Sequence, residues 1–204
     1  MKQNHPHRAF FNDRANQWDS PGDADKLIRL KNTFRKFKFY PWGNVLDIGA
    51  GTGILIPVIY EMKRDPVQLI ELDFSEAMLK HSKLKFEEDS HLNLCYINAD
   101  AQKLPFSGET FQWIIAFAVL PHLRHKRKVI QEWYRVLETK GTLVVLHLMG
   151  SNALNQFHSA VGEAIAHDHL PVATEFAQTL QQCGYHVRMA IDQEDLYLIH
   201  AVKM

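Results

Sequence analysis

Residues 45–53, with the sequence VLDIGAGTG, decide the fold of this chain. Residues 44–48 predict a short buried strand, because most of them are aliphatic and Pro41, Gly43 and Gly49 flank the segment. Three glycines then alternate with small residues, and apolar side chains recur at helical spacing over 54–62. The pattern is a strand, a glycine loop and a helix, and the first turn of such a helix offers backbone N–H groups without intrahelical partners.

A second apolar segment, LIELDFS at 69–75, ends in carboxylates. A carboxylate at the tip of the second strand is placed to accept hydrogen bonds from ribose hydroxyls. The loop itself reads G-x-G-x-G, with Asp47 two residues before the first glycine. The dinucleotide fingerprint G-x-G-x-x-G has its third glycine one residue later, which argues against a nicotinamide-dependent oxidoreductase.

Four segments in order resemble the class I S-adenosylmethionine-dependent methyltransferases, and most closely the small-molecule (type 11) branch that includes the ubiquinone/menaquinone-biosynthesis C-methyltransferases. They are VLDIGAGTG, LIELDFSEAMLKHS, INADAQKLPFSGETFQWIIAFAVLPHL and RVLETKGTLVVLHL, and they cover about residues 44–148. The resemblance implies an α/β fold: a Rossmann-like, doubly wound, seven-stranded sheet, mostly parallel with a C-terminal antiparallel hairpin. Gln112 departs from the family, which commonly has an acid there, and is expected to play a structural role.

The same resemblance implies S-adenosyl-L-methionine as the cofactor and assigns its contacts. Asp73 is the predicted ribose partner, because D-x-S after the apolar run matches the family pattern, and Glu71 is the alternative. Asp100 is expected to accept from the exocyclic amine of adenine, although a turn aspartate that bonds its own backbone is also common. The predicted cofactor-binding residues are Asp47, Gly49, Ala50, Gly51, Gly53, Asp73, Phe74, Asp100, Ala101 and Phe117.

Composition narrows the possible partners. The 204 residues carry 23 Lys plus Arg and 23 Asp plus Glu, so no charge surplus favours nucleic acid or a membrane surface. No signal-peptide layout or transmembrane-length apolar run is present, and Cys95 and Cys183 lack metal-ligand spacing. A cytoplasmic protein with reduced thiols is expected, with a small-molecule acceptor, no nucleic acid, no membrane, and a homodimer as a possibility.

The N-terminal part, residues 1–40, is predicted to form a helical cap on a single domain that spans 1–204. Residues 1–7 are polar and expected to fray. A helix is predicted over 26–37, capped by Asp23 or Asp25. Family resemblance places such helices across the cofactor and substrate mouth, where Phe10, Phe11 and Trp18 would wall the site. Simple packing of the first helices on the core is the alternative.

Histidines supply the candidate catalytic residues. His122 follows the fourth strand, 112–117, at the carboxyl end where open α/β sheets bind ligands, and it matches a histidine frequent in this branch. It is a candidate general base, with a loop-shaping hydrogen bond as the alternative. His147, near the end of the fifth strand, 142–148, could face the substrate or be a core residue.

Between the cofactor-binding core, 41–148, and the C-terminal segment, a helical substrate cap is predicted over 149–172. Its helix, 152–168, would present an apolar face made by Leu154, Phe157, Val161, Ala164 and Ile165. His158 is a second candidate base. His158, His167, Asp168 and His169 suit a metal chemically, but nine residues separate His158 from His167, which does not match a helical ligand pair. No metal is therefore predicted.

The C-terminal part, 173–204, is predicted to hold a helix over 174–183 closed by Gly184, and then two strands, 185–192 and 195–202. The expected function is methyl transfer from S-adenosylmethionine to an oxygen, nitrogen, sulfur or carbon of a small metabolite. The alternative is a non-catalytic module that binds S-adenosylmethionine or S-adenosylhomocysteine on the same fold.

Overall fold

The computed structural model describes residues 6–64, 66–161 and 165–204. Helices and strands alternate along most of these ranges. In chain order the elements are α1 Pro6–Arg14, α2 Asp23–Phe37, β1 Gly43–Ile48, α3 Ile56–Met62, β2 Val67–Asp73, α4 Glu76–Phe86, β3 Leu94–Asn98, β4 Phe111–Phe117, α5 Lys126–Val136, β5 Leu137–His147, α6 Ser151–Val161, α7 Ala173–Gln182, β6 Tyr185–Gln193 and β7 Leu196–Lys203.

The strands of the described ranges form one seven-stranded sheet in the order β3-β2-β1-β4-β5-β7-β6. The first five are parallel, with β1 paired to both β2 and β4. Strand β7 runs antiparallel between β5 and β6. This confirms the predicted Rossmann-like sheet, mostly parallel with a C-terminal antiparallel hairpin.

Helices cover both faces of this sheet. Because side chains of a strand alternate between its faces, Leu46 and Ile48 pack with the apolar side chains of α5 and α7, whereas Val45 packs with those of α2 and α3. The central parallel strands are therefore buried on both sides, which explains their aliphatic runs, whereas the edge strand β3 is only partly buried. Trp133 of α5 and Phe34 of α2 are fully buried at the centres of the two layers.

The strand order reverses next to β1, since β2 lies on one side of it and β4 on the other. In open α/β sheets, ligands bind outside the carboxyl ends of the strands at such a switch point. The glycine loop, defined here as residues 49–53, leaves β1 at this place, and the loop 118–122 leaves β4. The topology thus brings together, at one edge of the sheet, two loops that begin at residues 49 and 118, which are 69 positions apart in the sequence.

The helix of the predicted substrate cap is shorter than expected. It was predicted over 152–168, but α6 ends at Val161, and Asp168 N–H donates to the carbonyl of Ile165 in a turn. Phe157, predicted on the apolar face, has 52% of its surface exposed. Ala164 lies outside the described residues.

Two other boundaries differ from prediction. Strand β5 begins at Leu137, five residues before the predicted start, because Leu137 already pairs with Phe111 across a register shift. Helix α2 begins at Asp23, so neither predicted aspartate is its N-cap. The Asp23 carboxylate instead reaches back and accepts from the backbone N–H of Ser20, at 2.9 Å.

The N-terminus is more ordered than its polar composition suggests. Fraying was predicted through residue 7, but α1 starts at Pro6 and His7 is buried. Residues 1–5 lie outside the described ranges. The side chain of His7 bonds Asp168, a contact between residues 161 positions apart that local sequence cannot reveal.

Gln112 has the structural role expected of it. Its Oε1 accepts from the backbone N–H of Asn44 at 2.6 Å, and its Nε2 donates to Glu138 at 2.7 Å. The amide therefore ties the beginning of β1 to the β4–β5 pair. A carboxylate at this position could not donate to Glu138, and that difference is a physical reason for glutamine here.

Replacing Gly53 by alanine is expected to destabilise the protein by about 1–3 kcal/mol. Gly53 has φ of +84°, and a Cβ on it would lie 2.4 Å from Ser82 Oγ and 2.8 Å from Ile56 Cδ1. Urea unfolding followed by circular dichroism measures the change. Gly22→Ala is the control, because its Cβ would meet nothing closer than 3.6 Å; equal losses in both variants would contradict the packing argument.

Within the described ranges, none of the helices combines the length and the hydropathy that a membrane span requires.

Candidate active site

A cavity of about 360 Å³ lies at the carboxyl ends of β1, β2 and β4, at the switch point. This size is in the range of small-molecule sites. A smaller cavity of about 70 Å³ adjoins it on the β2–β3 side. Gly49, Asp73, Phe74, Val119 and His122 line both.

The glycine loop forms the floor of the larger cavity. Gly49 has φ of +73°, and a Cβ on it would lie 2.5 Å from Val119 of the opposing loop. Gly51 has φ of +57°, and a Cβ on it would meet no atom closer than 3.9 Å, the nearest being Nε1 of Trp18. Only glycine adopts such backbone angles without strain. The bare backbone of Gly51 therefore leaves room for a ligand to approach.

Gly53, although predicted to bind the cofactor, lines neither cavity. Its missing side chain makes room for Ser82 and Ile56, so this glycine serves helix packing. All the other predicted cofactor residues line one or both cavities: Asp47, Gly49, Ala50, Gly51, Asp73, Phe74 and Phe117 the larger, and Gly49, Asp73, Phe74, Asp100 and Ala101 the smaller.

Asp73 is held rigidly at the end of β2. Its Oδ1 accepts from the N–H of Ser75 at 2.7 Å, and its Oδ2 from the N–H of Gly51 at 3.0 Å. Burial raises the pKa of Asp73 to about 6, although the backbone donors lower it. A carboxylate has about four lone-pair sites, so the two bonds leave acceptor capacity toward the cavities.

Asp100 lies at the mouth of the smaller cavity, beside Ala101 and Gln102. Its Oδ1 accepts from the backbone N–H of Gln102 at 2.8 Å, which is the turn geometry considered as the alternative. Both roles are compatible, because this bond fixes the carboxylate at the rim of the cavity.

The N-terminal segment closes over the larger cavity. We call residues 7–20 the N-terminal strap. Phe11 and Trp18 of the strap line the cavity, whereas Phe10 does not. The Phe11 ring packs edge-on against Phe74 and His122, with centroid distances of 5.7 and 5.2 Å. Aromatic side chains therefore link the strap to both sides of the cavity.

Polar contacts fasten the strap to the glycine loop and to α4. Thr52 of the glycine loop donates to Asp19 at 2.5 Å, and Lys85 of α4 donates to the same carboxylate at 2.9 Å. Ser75 Oγ donates to Asn12 at 2.6 Å. These bonds hold the strap against the glycine loop and α4.

Asp19→Ala is expected to speed the release of a bound ligand about three- to tenfold, because it removes two contacts of the strap that are worth about 1 kcal/mol together at this exposed position. The dissociation rate of S-adenosylhomocysteine, measured by stopped-flow tryptophan fluorescence, tests this. Asp13→Ala, an exposed change on the same segment, is the control. An unchanged rate in Asp19→Ala would show that the strap does not limit release.

Three side chains from distant parts of the chain meet at the other end of the strap. The Asp168 carboxylate contacts His122 Nδ1 at 2.6 Å and His7 Nε2 at 2.9 Å. Burial acts to raise the pKa of Asp168, but the bonds from His122 and His7 bring it below its usual value. Asp168 is therefore ionised and accepts from both imidazoles.

This arrangement determines the tautomer of His122. Since an ionised carboxylate only accepts, His122 carries its proton on Nδ1, and Nε2 is the ring nitrogen left to accept a proton. His122 lines both cavities. An Asp–His pair with a basic nitrogen at a ligand cavity is an arrangement that can serve general base catalysis.

The other two candidate histidines are placed less favourably. His158 Nδ1 donates to the backbone carbonyl of Asp168 at 3.1 Å, and its ring lies 5.3 Å from that of His122. Burial lowers the pKa of His158. His147 is buried beside Tyr197, and burial lowers its pKa to about 3. Neither lines the two cavities, so His147 is a core residue and His158 stands behind His122.

The sequence analysis assigned no site role to Asp23, Lys26 or His7, and it named Asp168 only in a possible metal group. Asp23 and Lys26 of α2 line the larger cavity, and Asp168 and His7 position His122. In the sequence, Asp23 was only a candidate helix N-cap, and His7 belonged to the polar N-terminal residues. Their roles arise from tertiary contacts, for which no local sequence pattern exists.

Over the described parts of the chain, no group of three or more His, Cys, Asp or Glu side chains is arranged to hold a metal ion.

Comparisons with known proteins agree with this geometry. The methyltransferase domain family matches residues 46–145. The ubiquinone/menaquinone biosynthesis C-methyltransferase UbiE of Pseudomonas entomophila is 30% identical over 157 residues, which are 74% of this chain and 60% of UbiE. The chain thus spans about 60% of the length of the curated relatives that it matches.

Solved structures share the fold. A SAM-dependent methyltransferase from Aquifex aeolicus superposes with a TM-score of 0.76 at 17% identity, covering 95% of this chain and 98% of that one. The putative methyltransferase solved in complex with the Trm112 methyltransferase activator of Haloferax volcanii gives 0.74 at 18% identity, covering 94% and 96%.

The fold is a doubly wound α/β sheet with a glycine loop, a strand-end carboxylate and a cavity at its switch point. These are the features of proteins that bind a nucleotide-containing cofactor. The family match and the relatives specify the class. Over residues 46–145 the chain is similar to the methyltransferase domain family, and its fold is that of S-adenosylmethionine-dependent methyltransferases; the cofactor that these matches indicate is S-adenosylmethionine.

The residues of the cavity fit this cofactor. Asp73 would accept from the ribose hydroxyls, and the open face of Gly51 admits a ligand against the backbone. Asp47 is 1% exposed, lines the cavity and has a buried Oδ2 without a hydrogen-bond partner among the described residues, which suits a cationic ligand group. The smaller cavity, with Phe74, Ala101 and Leu123 beside Asp100, suits a planar base.

Proposed function

We propose that this protein transfers the methyl group of S-adenosylmethionine to a small molecule whose reacting oxygen or carbon must lose a proton. The observation that carries the proposal is the His122–Asp168 pair, which presents a basic imidazole nitrogen at the cavity. A thiolate or amine acceptor needs no such base, since orientation alone suffices. The pair therefore favours a hydroxyl or an acidic carbon.

The chain's own residues would perform three tasks in this reaction. When bound, S-adenosylmethionine supplies an electrophilic methyl group. Asp73 and the glycine loop orient the cofactor, and the strap with Phe11 and Trp18 excludes water. His122 Nε2 accepts the proton of the acceptor, while Asp168 holds the ring and stabilises the imidazolium. Such positioning contributes about 7–11 kcal/mol and a positioned base about 10²–10⁴-fold.

The lining of the cavity supports a planar, largely apolar acceptor. Phe11, Trp18 and Phe117 line it together with Leu55, and Lys26 adds one cationic group from α2. Flat rings stack or pack edge-on against such side chains. UbiE, the relative reported above, is named a C-methyltransferase of quinone biosynthesis, and a hydroxylated aromatic compound is therefore the first acceptor class to test.

The test is transfer of radiolabelled methyl from S-adenosylmethionine to a panel of phenols, enolisable ketones, thiols and amines. Turnover that is selective for the first two classes supports the proposal. Turnover with thiols or amines alone would refute the role of His122 as a general base. Binding of S-adenosylhomocysteine without turnover on any class would instead favour the non-catalytic binding module. The cytoplasmic location and the homodimer stay predictions from the sequence.

A further inference from the structure

A pair of buried carboxyl groups lies under the larger cavity, and one of the two, Glu71, has no role in the site described above. Asp47 of β1 and Glu71 of β2 are direct partners in the parallel register, and they are 1% and 0% exposed. Both oxygens of Glu71 and Oδ2 of Asp47 are buried with no hydrogen-bond donor among the described residues. Two adjacent buried carboxylates would repel each other and lack solvation, so the pair must hold at least one proton.

Among the described residues, no Lys, Arg or His side chain forms a hydrogen bond with the buried oxygens of the pair. Asp73 on β2 adds a further carboxyl, and Tyr60 of α3 and Tyr96 of β3 face Glu71. Lys85 of α4 is the cation that acts on Glu71, but its amine bonds Asp19 of the strap at 2.9 Å. Burial raises the pKa of Asp47 and of Glu71, and neighbouring carboxyls raise both further.

The two members of the pair are not equivalent. Asp47 lines the cavity, whereas Glu71 does not. The side chains are close enough for a hydrogen bond once one is protonated. With its proton on Glu71, the pair satisfies the buried oxygen of Asp47 and leaves the remaining acceptor sites of that carboxylate for a ligand.

We propose that Glu71 is a positioning residue that keeps a proton and donates it in a hydrogen bond to Asp47, and that the pair releases one further proton to solvent when a cationic group binds beside Asp47. In the free protein both carboxyls are protonated and the pair is neutral. In the complex Asp47 is ionised and balances the ligand's charge, while Glu71 keeps its proton. The proposal rests on the proposed function, because the amino group of the cofactor is the cation expected there.

Infrared spectroscopy of the protein without ligand tests how many protons the Asp47–Glu71 pair holds. At pH 7.5, wild-type protein is expected to show the carbonyl stretch of a protonated carboxyl, which exposed carboxyls do not show at this pH. Glu71→Gln is expected to lose at least about half of that band, since the acid that keeps its proton is gone. A wild-type spectrum without the band would overturn the proposal, whether or not the cofactor binds.

Calorimetric titration with S-adenosylhomocysteine tests whether ligand binding releases a proton. It is carried out at pH 7 in two buffers of different ionisation enthalpy. Wild type is expected to release about one proton per ligand bound. Glu71→Gln keeps an N–H donor toward Asp47, so its affinity should stay within about threefold of wild type, and its proton release should stay near one because the released proton comes from Asp47. Glu71→Leu removes the donor, and its affinity should fall more than about tenfold.

The outcomes separate this proposal from the proposed function. If wild type binds the ligand with no proton release, and Glu71→Leu binds equally well, the role of Glu71 is refuted while the methyltransferase assignment stands. If wild type does not bind the ligand at all, the methyltransferase assignment fails, and the infrared band alone decides whether the pair shares protons. If Glu71→Leu does not fold, the infrared comparison of wild type with Glu71→Gln still tests whether Glu71 holds a proton.

Stability provides an independent check with a defined sign. Because the folded-state pKa of Glu71 lies above its unfolded value, its stabilising contribution is complete below the unfolded pKa, about 4.3, and is lost as pH rises toward the folded pKa. The melting temperature of Glu71→Gln relative to wild type should therefore rise between pH 5 and about pH 8. A constant or falling difference would contradict the raised pKa.

Discussion

Asp73→Ala is expected to lower the affinity for S-adenosylhomocysteine about 100-fold or more, because it removes the carboxylate at the end of β2. Two hydrogen bonds from ribose hydroxyls to a charged acceptor contribute about 1.5–3 kcal/mol each. The same carboxylate accepts from the N–H groups of Gly51 and Ser75, so its removal also frees the glycine loop. Isothermal titration calorimetry measures the change.

Two further variants make this result specific. Asp73→Asn keeps the size of the side chain and one acceptor oxygen, and a loss of about tenfold is expected because a neutral acceptor binds about half as strongly as a charged one. Glu76→Gln removes an exposed carboxylate three residues away, outside the cavities, and should bind like wild type. If Asp73→Ala binds within about threefold of wild type, Asp73 is not the ribose partner.

His122→Asn is expected to reduce kcat by about 10²–10⁴-fold on an acceptor that must lose a proton, because asparagine cannot take up that proton. The Kd of the cofactor should change far less, since His122 acts on the acceptor. Asp168→Asn keeps an acceptor for His122 Nδ1 without the charge and should cost about tenfold in kcat. Rates and affinities from the radiolabel assay and from calorimetry separate the two effects.

The pair of candidate bases can be compared directly. His158→Asn retains a donor toward the carbonyl of Asp168 and should lose less activity than His122→Asn. His186→Asn, on the exposed side of β6, is the matched surface control. A larger loss in His158→Asn than in His122→Asn would transfer the role of base to His158, and equal rates in all three variants would exclude a histidine base.

Most of the predicted site residues come from the loops that follow β1, β2 and β3, where local sequence carries a strong signal. A carboxylate or glycine directly after an aliphatic run can be placed at a strand end without knowing the partner strands. Gly53 shows the limit of that reasoning. It belongs to the same glycine pattern, but its missing side chain accommodates Ser82 of α4, and only the packed structure identifies that neighbour.

The His122–Asp168 pair shows the same limit more clearly. His122 was identified as a candidate from its position after β4, but the choice between His122 and His158 needed the Asp168 contact at 2.6 Å. Asp168 lies 46 residues beyond His122, and His7 lies 115 residues before it. Contacts between residues so far apart depend on how the helices pack on the sheet. Patterns within a short stretch of sequence do not predict that packing.

By itself, the sequence determined the first strand, the glycine loop and the strand-end acids, because these follow from aliphatic runs and residue spacing over a few positions. The doubly wound sheet and the class of cofactor were predicted from the resemblance of four segments to a known family. Only the tertiary structure decided that the N-terminal strap encloses the cavity, that Asp168 orients His122, and that Asp47 and Glu71 face each other. Strand register and helix docking bring these groups together, and burial then changes their pKa values. Both effects depend on the whole fold.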